Sequence, residues 1–352
     1  MSGTASCAVE AVDAATVRHA VEVLLRGGLV AFPTETVYGL GADADQPQAI
    51  AAIFHAKGRP KAHPLIVHVA QAGAVHGWAR QIPAPAQVLM RCFWPGPLTL
   101  VLPRAARATD LLTGGQDTIG LRCPANTWAQ SLIRGLCAAR ADESAAIAAP
   151  SANRYGRISP TRAAHVRADL GEKPDGLVDF IIDGGATALG IESTIVDFVG
   201  DVARILRPGS IDRAQIAAVV GEDVAIAAER EAAPRVSGRV SGHYAPSKPL
   251  ELVEPGELLG RAKALQPLAL GVLAPQELLG KLQAQCLAMA IAAAATSEEY
   301  ARLLYEHLRT LDASAAQRLL VTVPPRGASW EAVHDRLRRA AAGSDARIID
   351  AD

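Results

Sequence analysis

The chain has 352 residues, with 35 Lys and Arg against 36 Asp and Glu, a formal charge of −1 and a pI near 6.8. That balance excludes a global basic field able to hold nucleic acid nonspecifically, so any anion site must be local, while the length suggests two domains with ample core. Five cysteines, Cys7, Cys92, Cys123, Cys137 and Cys286, are an odd number with no CxxC, which argues against a disulfide framework or a zinc site and points to the reducing cytoplasm.

Asp13 predicts the cap of a helix whose apolar positions Val17, Ala20, Val21, Leu24 and Leu25 keep helical spacing, and Gly27 and Gly28 end it. With Glu10 also acidic and no apolar signal core, the N-terminus does not read as a signal peptide. Residues 29–32 form a short apolar strand ended by Pro33, after which Thr34, Glu35, Thr36 and Tyr38 stand at a strand end, where an open α/β sheet places its ligands. Gly39 and Gly41 read as a small-residue turn permitting close backbone approach. Asp45 ahead of Pro47 reads as the N-cap of a helix running to about Ala56.

Lys57, Arg59, Lys61 and His63 follow at once, in a segment stiffened by Pro60 and Pro64. Such clusters are commonly solvated loops. Prolines that hold the cations together at reduced entropic cost favour a preformed site for polyphosphate instead. Residues 65–69 form a buried strand carrying His68, either a satisfied core histidine or a site residue. Helical segments over 72–80 and 85–92 lead to a rigid turn at 93–97, whose aromatics read as packing, and a strand at 98–102.

Residues 118–122 alternate as a strand ending in Arg122, which suits a carboxylate if the fold brings it beside the basic cluster. A helix at 128–137, a charged surface loop at 139–144 and a short strand at 147–149 open onto Ser151, Asn153, Ser159 and Thr161. Small polar groups between a strand and a helix start suit a nucleotide phosphate, or simply make a capped turn. Residues 177–182 form a strand, 192–197 another entered through Glu192 and Ser193, and 204–209 close the first sheet.

Residues 221–250 are weakly periodic and read as an interdomain linker between a domain at 1–220 and a second at 251–352. In the second, strands at 268–273 and 319–323 alternate with two helices. One has Thr296 and Glu299 as a capping box and carries Tyr300, Leu303, Leu304, Leu308 and Leu311; the other, 330–342, lies between a Ser329 cap and a Gly343 stop. That alternation predicts a small doubly wound domain with no catalytic cluster of its own. The longest alanine-rich apolar run, 286–295, is too short and too weakly hydrophobic to span a bilayer.

Gly39 to Ala44 mimics the dinucleotide fingerprint GxGxxA, yet the chain then supplies Lys57 to Lys61 in place of an acidic ribose ligand, against a dehydrogenase. No GxxxxGK[ST] marks a P-loop ATPase. No GxSxG elbow exists, and Ser193 has no histidine near it in sequence, against a serine hydrolase.

The runs PTETVYGLG at 33–41, KGRP at 57–60, PLIVHV at 64–69, WPGPLTLVL at 94–102, SAN and SPT at 151–153 and 159–161, STIVD at 193–197 and RPG at 207–209 stand in one order. Over residues 15–220 they resemble the threonylcarbamoyl-AMP synthases, the YrdC-type family, and HYAP at 243–246 resembles an element of that family's long form. The resemblance implies an α/β fold: a YrdC-like twisted open sheet with helices and a concave active-site cleft, plus a smaller doubly wound, Rossmann-like C-terminal domain. It implies a nucleotidyltransferase that converts L-threonine, bicarbonate and ATP into threonylcarbamoyl-adenylate and pyrophosphate. Magnesium accompanies the ATP, although no carboxylate pair marks its ligands. The product passes through downstream threonylcarbamoyl transferase proteins to adenosine in tRNA, so tRNA is met only indirectly and no membrane is involved.

By matching motif positions, the resemblance assigns Thr36, His68, Arg122 and Ser193 to L-threonine, with Arg122 taking its carboxylate. Lys57, Arg59, His63, Thr118, Ser151, Asn153, Ser159 and Arg207 go to ATP, with Lys57 and Arg59 as the catalytic charges and Tyr244 on a lid. His63 and Tyr155 depart from the family pattern, which commonly has asparagine and a small polar residue there. A carbamate oxygen attacking the α-phosphorus needs no covalent enzyme intermediate, so catalysis is positioning plus charge stabilisation. The alternative from another class is an RNA-binding module using the basic concave face. Near-neutral charge and the lack of interleaved aromatics stand against it. The linker is either a lid over the nucleotide or a passive spacer.

Overall fold

A computed structural model describes residues 12–199, 202–227, 233–238, 242–282 and 287–349. Cys7, Glu10, Ser241 and Cys286 lie outside the described residues. Asp13 caps the helix Ala14–Leu25 by accepting from the N–H groups of Ala15 and Thr16. That helix buries Ala20, Val21 and Leu24 in one cluster with Leu132, Ile133 and Leu136 of the helix Thr127–Arg140.

Ten strands form the larger sheet: β1 Val30–Pro33, β2 Tyr38–Asp43, β3 Ile66–His68, β4 Leu98–Pro103, β5 Thr118–Arg122, β6 Ile147–Ala148, β7 Phe180–Ile181, β8 Thr194–Val199, β9 Val202–Arg207 and β10 Ala225–Ile226. Their order is β10-β9-β8-β4-β5-β3-β6-β2-β1-β7, with parallel and antiparallel pairs mixed. Both faces are covered: Val30 and Phe32 belong to one core cluster and the intervening Ala31 to another, as alternation along a strand requires. The smaller sheet is wholly parallel, β11 Leu250–Val253, β12 Leu270–Ala274, β13 Leu287–Ala292 and β14 Arg318–Thr322 in the order β11-β14-β12-β13.

Several expectations change. Gly39 and Gly41 lie within strand β2 and not in a turn; a Cβ on Gly41 would stand 2.7 Å from the Phe32 ring and 2.8 Å from Ile147, so the glycine serves close packing. The reversal comes earlier, where Thr34 Oγ1 accepts from the N–H groups of Thr36 and Val37. Asp45 is not the cap of the helix Pro47–Lys57, because Arg107 holds its carboxylate at 2.6 and 2.8 Å; Gln46 occupies the cap position. The charged surface loop at 139–144 begins within the end of the helix Thr127–Arg140 and is pinned in place, since Asp142 and Ser144 hold that same arginine.

Residues 72–80 contain only a 3₁₀ turn, Ala72–Gly77. Ser151, Asn153 and Ser159 do not sit at a helix start: the next helix, Ala163–Asp169, begins beyond them. The linker extends the sheet, because β10 pairs with β9, so residues 204–209 do not close it. In the second part Ser329 lies in a 3₁₀ turn, and the helix Glu331–Ile349 runs through Gly343, which meets Gly242 of the linker instead of ending the helix.

The two sheets are not loosely tethered. One core cluster joins Val37, Ile158 and Tyr244 to Tyr300, Leu304 and Leu337. Arg309 of the helix Ser297–Ala313 also pairs with Asp169 at 2.6 Å.

Candidate active site

The register of three neighbouring strands builds one wall. His68 on β3 pairs with Arg122 on β5, and Arg122 pairs with Thr99 on β4, so the three side chains share a face. Ser193 precedes β8, whose Thr194 pairs with Leu98, and its Oγ lies 2.7 Å from Thr99 Oγ1. Arg207 at the end of β9 donates to Ser193 O at 2.9 Å and to Ser237 O of the linker at 2.8 Å. Gly58, in the left-handed region at φ 62°, terminates the preceding helix and turns the chain so that Arg59 is buried over the wall. Arg59 donates through Nη2 to Pro64 O and Ser237 Oγ, each at 3.0 Å.

Arg59, His68, Arg122, Ser193 and Arg207 line one cavity with about 50 Å³ of free space, roofed by Ser237, Gly238, His243 and Tyr244 of the linker. Tyr244 is held in the left-handed region at φ 64°, where non-glycine backbone is strained. Gly238 at φ 81° is needed there, since a Cβ would lie 2.1 Å from Tyr244 Oη. Edge-on ring contacts run from His63 to Tyr155 at 5.4 Å, on to His243 at 5.9 Å and then to Tyr244 at 4.5 Å, and Tyr244 stacks on Tyr305. The two departures from the family pattern, His63 and Tyr155, thus touch each other.

Burial sets the electrostatics. It lowers Arg59 to about 10, still a cation at neutral pH, and pushes Lys57 well below its ordinary value. Burial, helped by the neighbouring cations Arg122 and Arg59 respectively, drives His68 and His243 down to about 3. Both imidazoles are neutral. Because an unfolded imidazole takes a proton near pH 6.5 while these refuse one until about pH 3, stability is full above 6.5 and falls as the pH drops through that window. Urea unfolding at pH 7 and pH 5 should differ by about 2 kcal/mol per imidazole; equal midpoints would contradict the neutral assignment.

With this geometry in view, the relatives can be set beside it. Residues 22–209 match the family model described as telomere recombination, and residues 211–342 match the one described as threonylcarbamoyl-AMP synthase, C-terminal domain. The threonylcarbamoyl-AMP synthase of Bacillus subtilis is 37% identical over 340 residues, covering 93% of each chain, and that of Pyrococcus abyssi is 36% identical, covering 97% of each. The chain belongs to the threonylcarbamoyl-AMP synthase family. The crystal structure of Pyrococcus abyssi Sua5 complexed with L-threonine superposes with a TM-score of 0.83 at 36% identity, over 95% of this chain and 96% of that one.

Of the residues singled out in the sequence of this family member, Thr36, Arg59, His68, Arg122, Ser151, Ser193, Arg207 and Tyr244 come together around the cavity. Lys57, His63, Thr118, Asn153 and Ser159 are not on its wall. Lys57 Nζ donates to the backbone carbonyls of Ser151 and Asn153 at 2.6 and 2.5 Å, tying that loop down. Thr118 lies in a neighbouring crevice covered by Val236 of the linker. Asn153 bonds Arg154 O and Arg157 O, and Ser159 donates to Glu192. Arg122 already donates to Glu35 at 2.6 Å and to Thr36 Oγ1 at 2.9 Å.

Sequence reasoning missed Glu192 and its partners. Glu192 lines the cavity and receives Tyr305 and Arg336 from the second sheet's helices, so residues 251–352, expected to carry no catalytic cluster of their own, reach the site through contact with that carboxylate. Glu192 was legible as the neighbour of Ser193. Arg336 was not, standing in an arginine-rich helix like any surface charge.

Proposed function

We propose that the chain makes threonylcarbamoyl-AMP and pyrophosphate from L-threonine, bicarbonate and ATP, a nucleotidyl transfer carried out in the cytoplasm, and that the product reaches tRNA through transferase partners. One observation carries the reading: Arg59 Nε, His68 Nδ1, His243 Nδ1 and Tyr244 Oη are buried around the cleft and have no hydrogen-bond partner among the described residues. Unpaired buried polar atoms are costly, and four around one cleft mark the outline of a polar ligand.

On this reading Thr36, His68, Arg122 and Ser193 hold threonine, with Glu35 yielding Arg122 to the substrate carboxylate. Neutral His68 leaves the substrate amine free to form its carbamate. Arg59 and Arg207 meet the phosphates, and no protein nucleophile is needed. Lys57 and Asn153 shape the loop carrying Ser151, whereas His63 and Thr118 reach ATP only as the linker moves. No cluster of three His, Cys, Asp or Glu among the described residues could hold a metal. Magnesium is expected to arrive on the phosphates of ATP, holding its own waters.

The free space, about 50 Å³, admits a few waters and no nucleotide, so the linker with Tyr244 has to open and close again. Residues 221–250 then serve as lid as well as connection, between a catalytic domain at 1–220 and a second domain at 251–352. No helix among the described residues is long and apolar enough to cross a membrane.

The decisive experiment is pyrophosphate release measured with each of ATP, threonine and bicarbonate omitted in turn. Release requiring all three is expected; ATP turnover indifferent to threonine, or salt-sensitive RNA binding without turnover, would overturn the reading. Arg59→Ala should weaken ATP by about 1.5–3 kcal/mol with the fold intact. Unchanged ATP affinity by calorimetry would show the arginine to be structural.

A further inference from the structure

Glu192 places a carboxylate on the wall of a cavity whose other charged lining residues are Arg59, Arg122 and Arg207. A polyphosphate entering there meets it as a like charge. Its compensation comes from across the domain junction. Arg336 of the helix Glu331–Ile349, with no exposed surface, donates through Nε to Glu192 Oε2 at 2.9 Å and through Nη1 to Asp335 at 2.6 Å. Tyr305 donates to the same Oε2 at 2.8 Å, and Ser159 donates to Oε1 at 2.5 Å. The Arg336 guanidinium also lies 5.3 Å from the centre of the Tyr244 ring, on which Tyr305 stacks at 5.6 Å. One side chain of the second domain therefore touches both the carboxylate beside the anion site and the aromatic roof of the cleft.

We propose that Arg336 is a positioning residue for the nucleotide: it neutralises Glu192 and keeps it turned away from the phosphates, and it seats Tyr244 over the cleft, so that the second domain completes the active site. This rests on the reading that the cleft takes ATP. The electrostatics agree, since burial alone would raise the Glu192 carboxyl, yet Arg336, ahead of Arg207, holds it down to about 2. A buried ion pair adds little net stability over an apolar replacement, so its placement at the site points to a role in ordering.

The test is charge suppression in the full-length chain. Arg336→Gln should raise the KM for ATP at least about tenfold while leaving the KM for threonine nearly unchanged. Adding Glu192→Gln to the same chain should bring the ATP value back to within about threefold of wild type, because the carboxylate left uncompensated is gone. A double variant no better than Arg336→Gln alone, or equal losses for ATP and threonine, would overturn the proposal. If Arg336→Gln does not fold, Glu192→Gln decides by itself: its ATP KM should hold or fall, and a rise of about tenfold sinks the idea. Wild-type protein that releases no pyrophosphate in a threonine-dependent manner would show instead that the cleft was misread, and the proposal falls with it.

Discussion

Replacing L-threonine by L-valine should lower the specificity of pyrophosphate release on the order of 10⁴-fold, because the two side chains are nearly isosteric and only one can satisfy buried polar groups. The cavity presents the hydroxyls of Thr34, Thr36 and Ser193 and the unpartnered Nδ1 of His68. The hydroxyls already have partners within the protein, so a ligand lacking its own hydroxyl leaves the His68 nitrogen dry and unpaired. Serine keeps the hydroxyl and loses one methyl, which is worth roughly 1–3 kcal/mol against an apolar wall; Val37 and Ile66 supply such surface. The order threonine, serine, valine in kcat/KM is thus expected from wall chemistry alone. Comparable turnover of valine and threonine would remove the amino-acid site from this cavity.

Glu192→Ala should be the most destabilising substitution near the cleft. It strips the Ser159 and Tyr305 hydroxyls of their acceptor and leaves fully buried Arg336 with Asp335 as its remaining carboxylate, one that Arg339 also engages at 2.9 Å. Removing one partner from a buried pair costs about 3–5 kcal/mol, because the desolvated charge remains. The pH dependence gives a second reading of the same term. Glu192 is held at about 2 against an ordinary 4.5, so its contribution is present above pH 4.5 and lost as pH falls toward 2, a difference of about 3 kcal/mol. Wild type and variant should therefore converge in urea midpoint as the pH approaches 2. A gap below about 1 kcal/mol at pH 7 would mean that water or a neighbour already compensates Arg336.

The same residues show where local reading suffices. Asp13 as a cap, the strand ending in Arg122, and the buried strand carrying His68 follow from capping chemistry and apolar periodicity, which act over a few residues and are written in order along the chain. The glycines of β2 were misread for a physical reason: glycine serves both turns and close packing, and only the positions of Phe32 and Ile147 tell the two apart. Asp45 was misread likewise, since Arg107 took the carboxylate that local spacing offered to a helix.

By itself the sequence determined a number of the strands and helices, the motif set of the family and the cluster of cations near Arg59, because each depends on residues close together in the chain. Only the tertiary structure decided which of those groups face one cavity, that Lys57 is bound to backbone carbonyls, that the linker roofs the cleft, and that Glu192 is answered by Arg336 from 144 residues away. A buried charge and an exposed one are the same letter in a sequence. What separates them is the burial that desolvates the charge and the partner that burial then requires, and both are set by how the two sheets pack together.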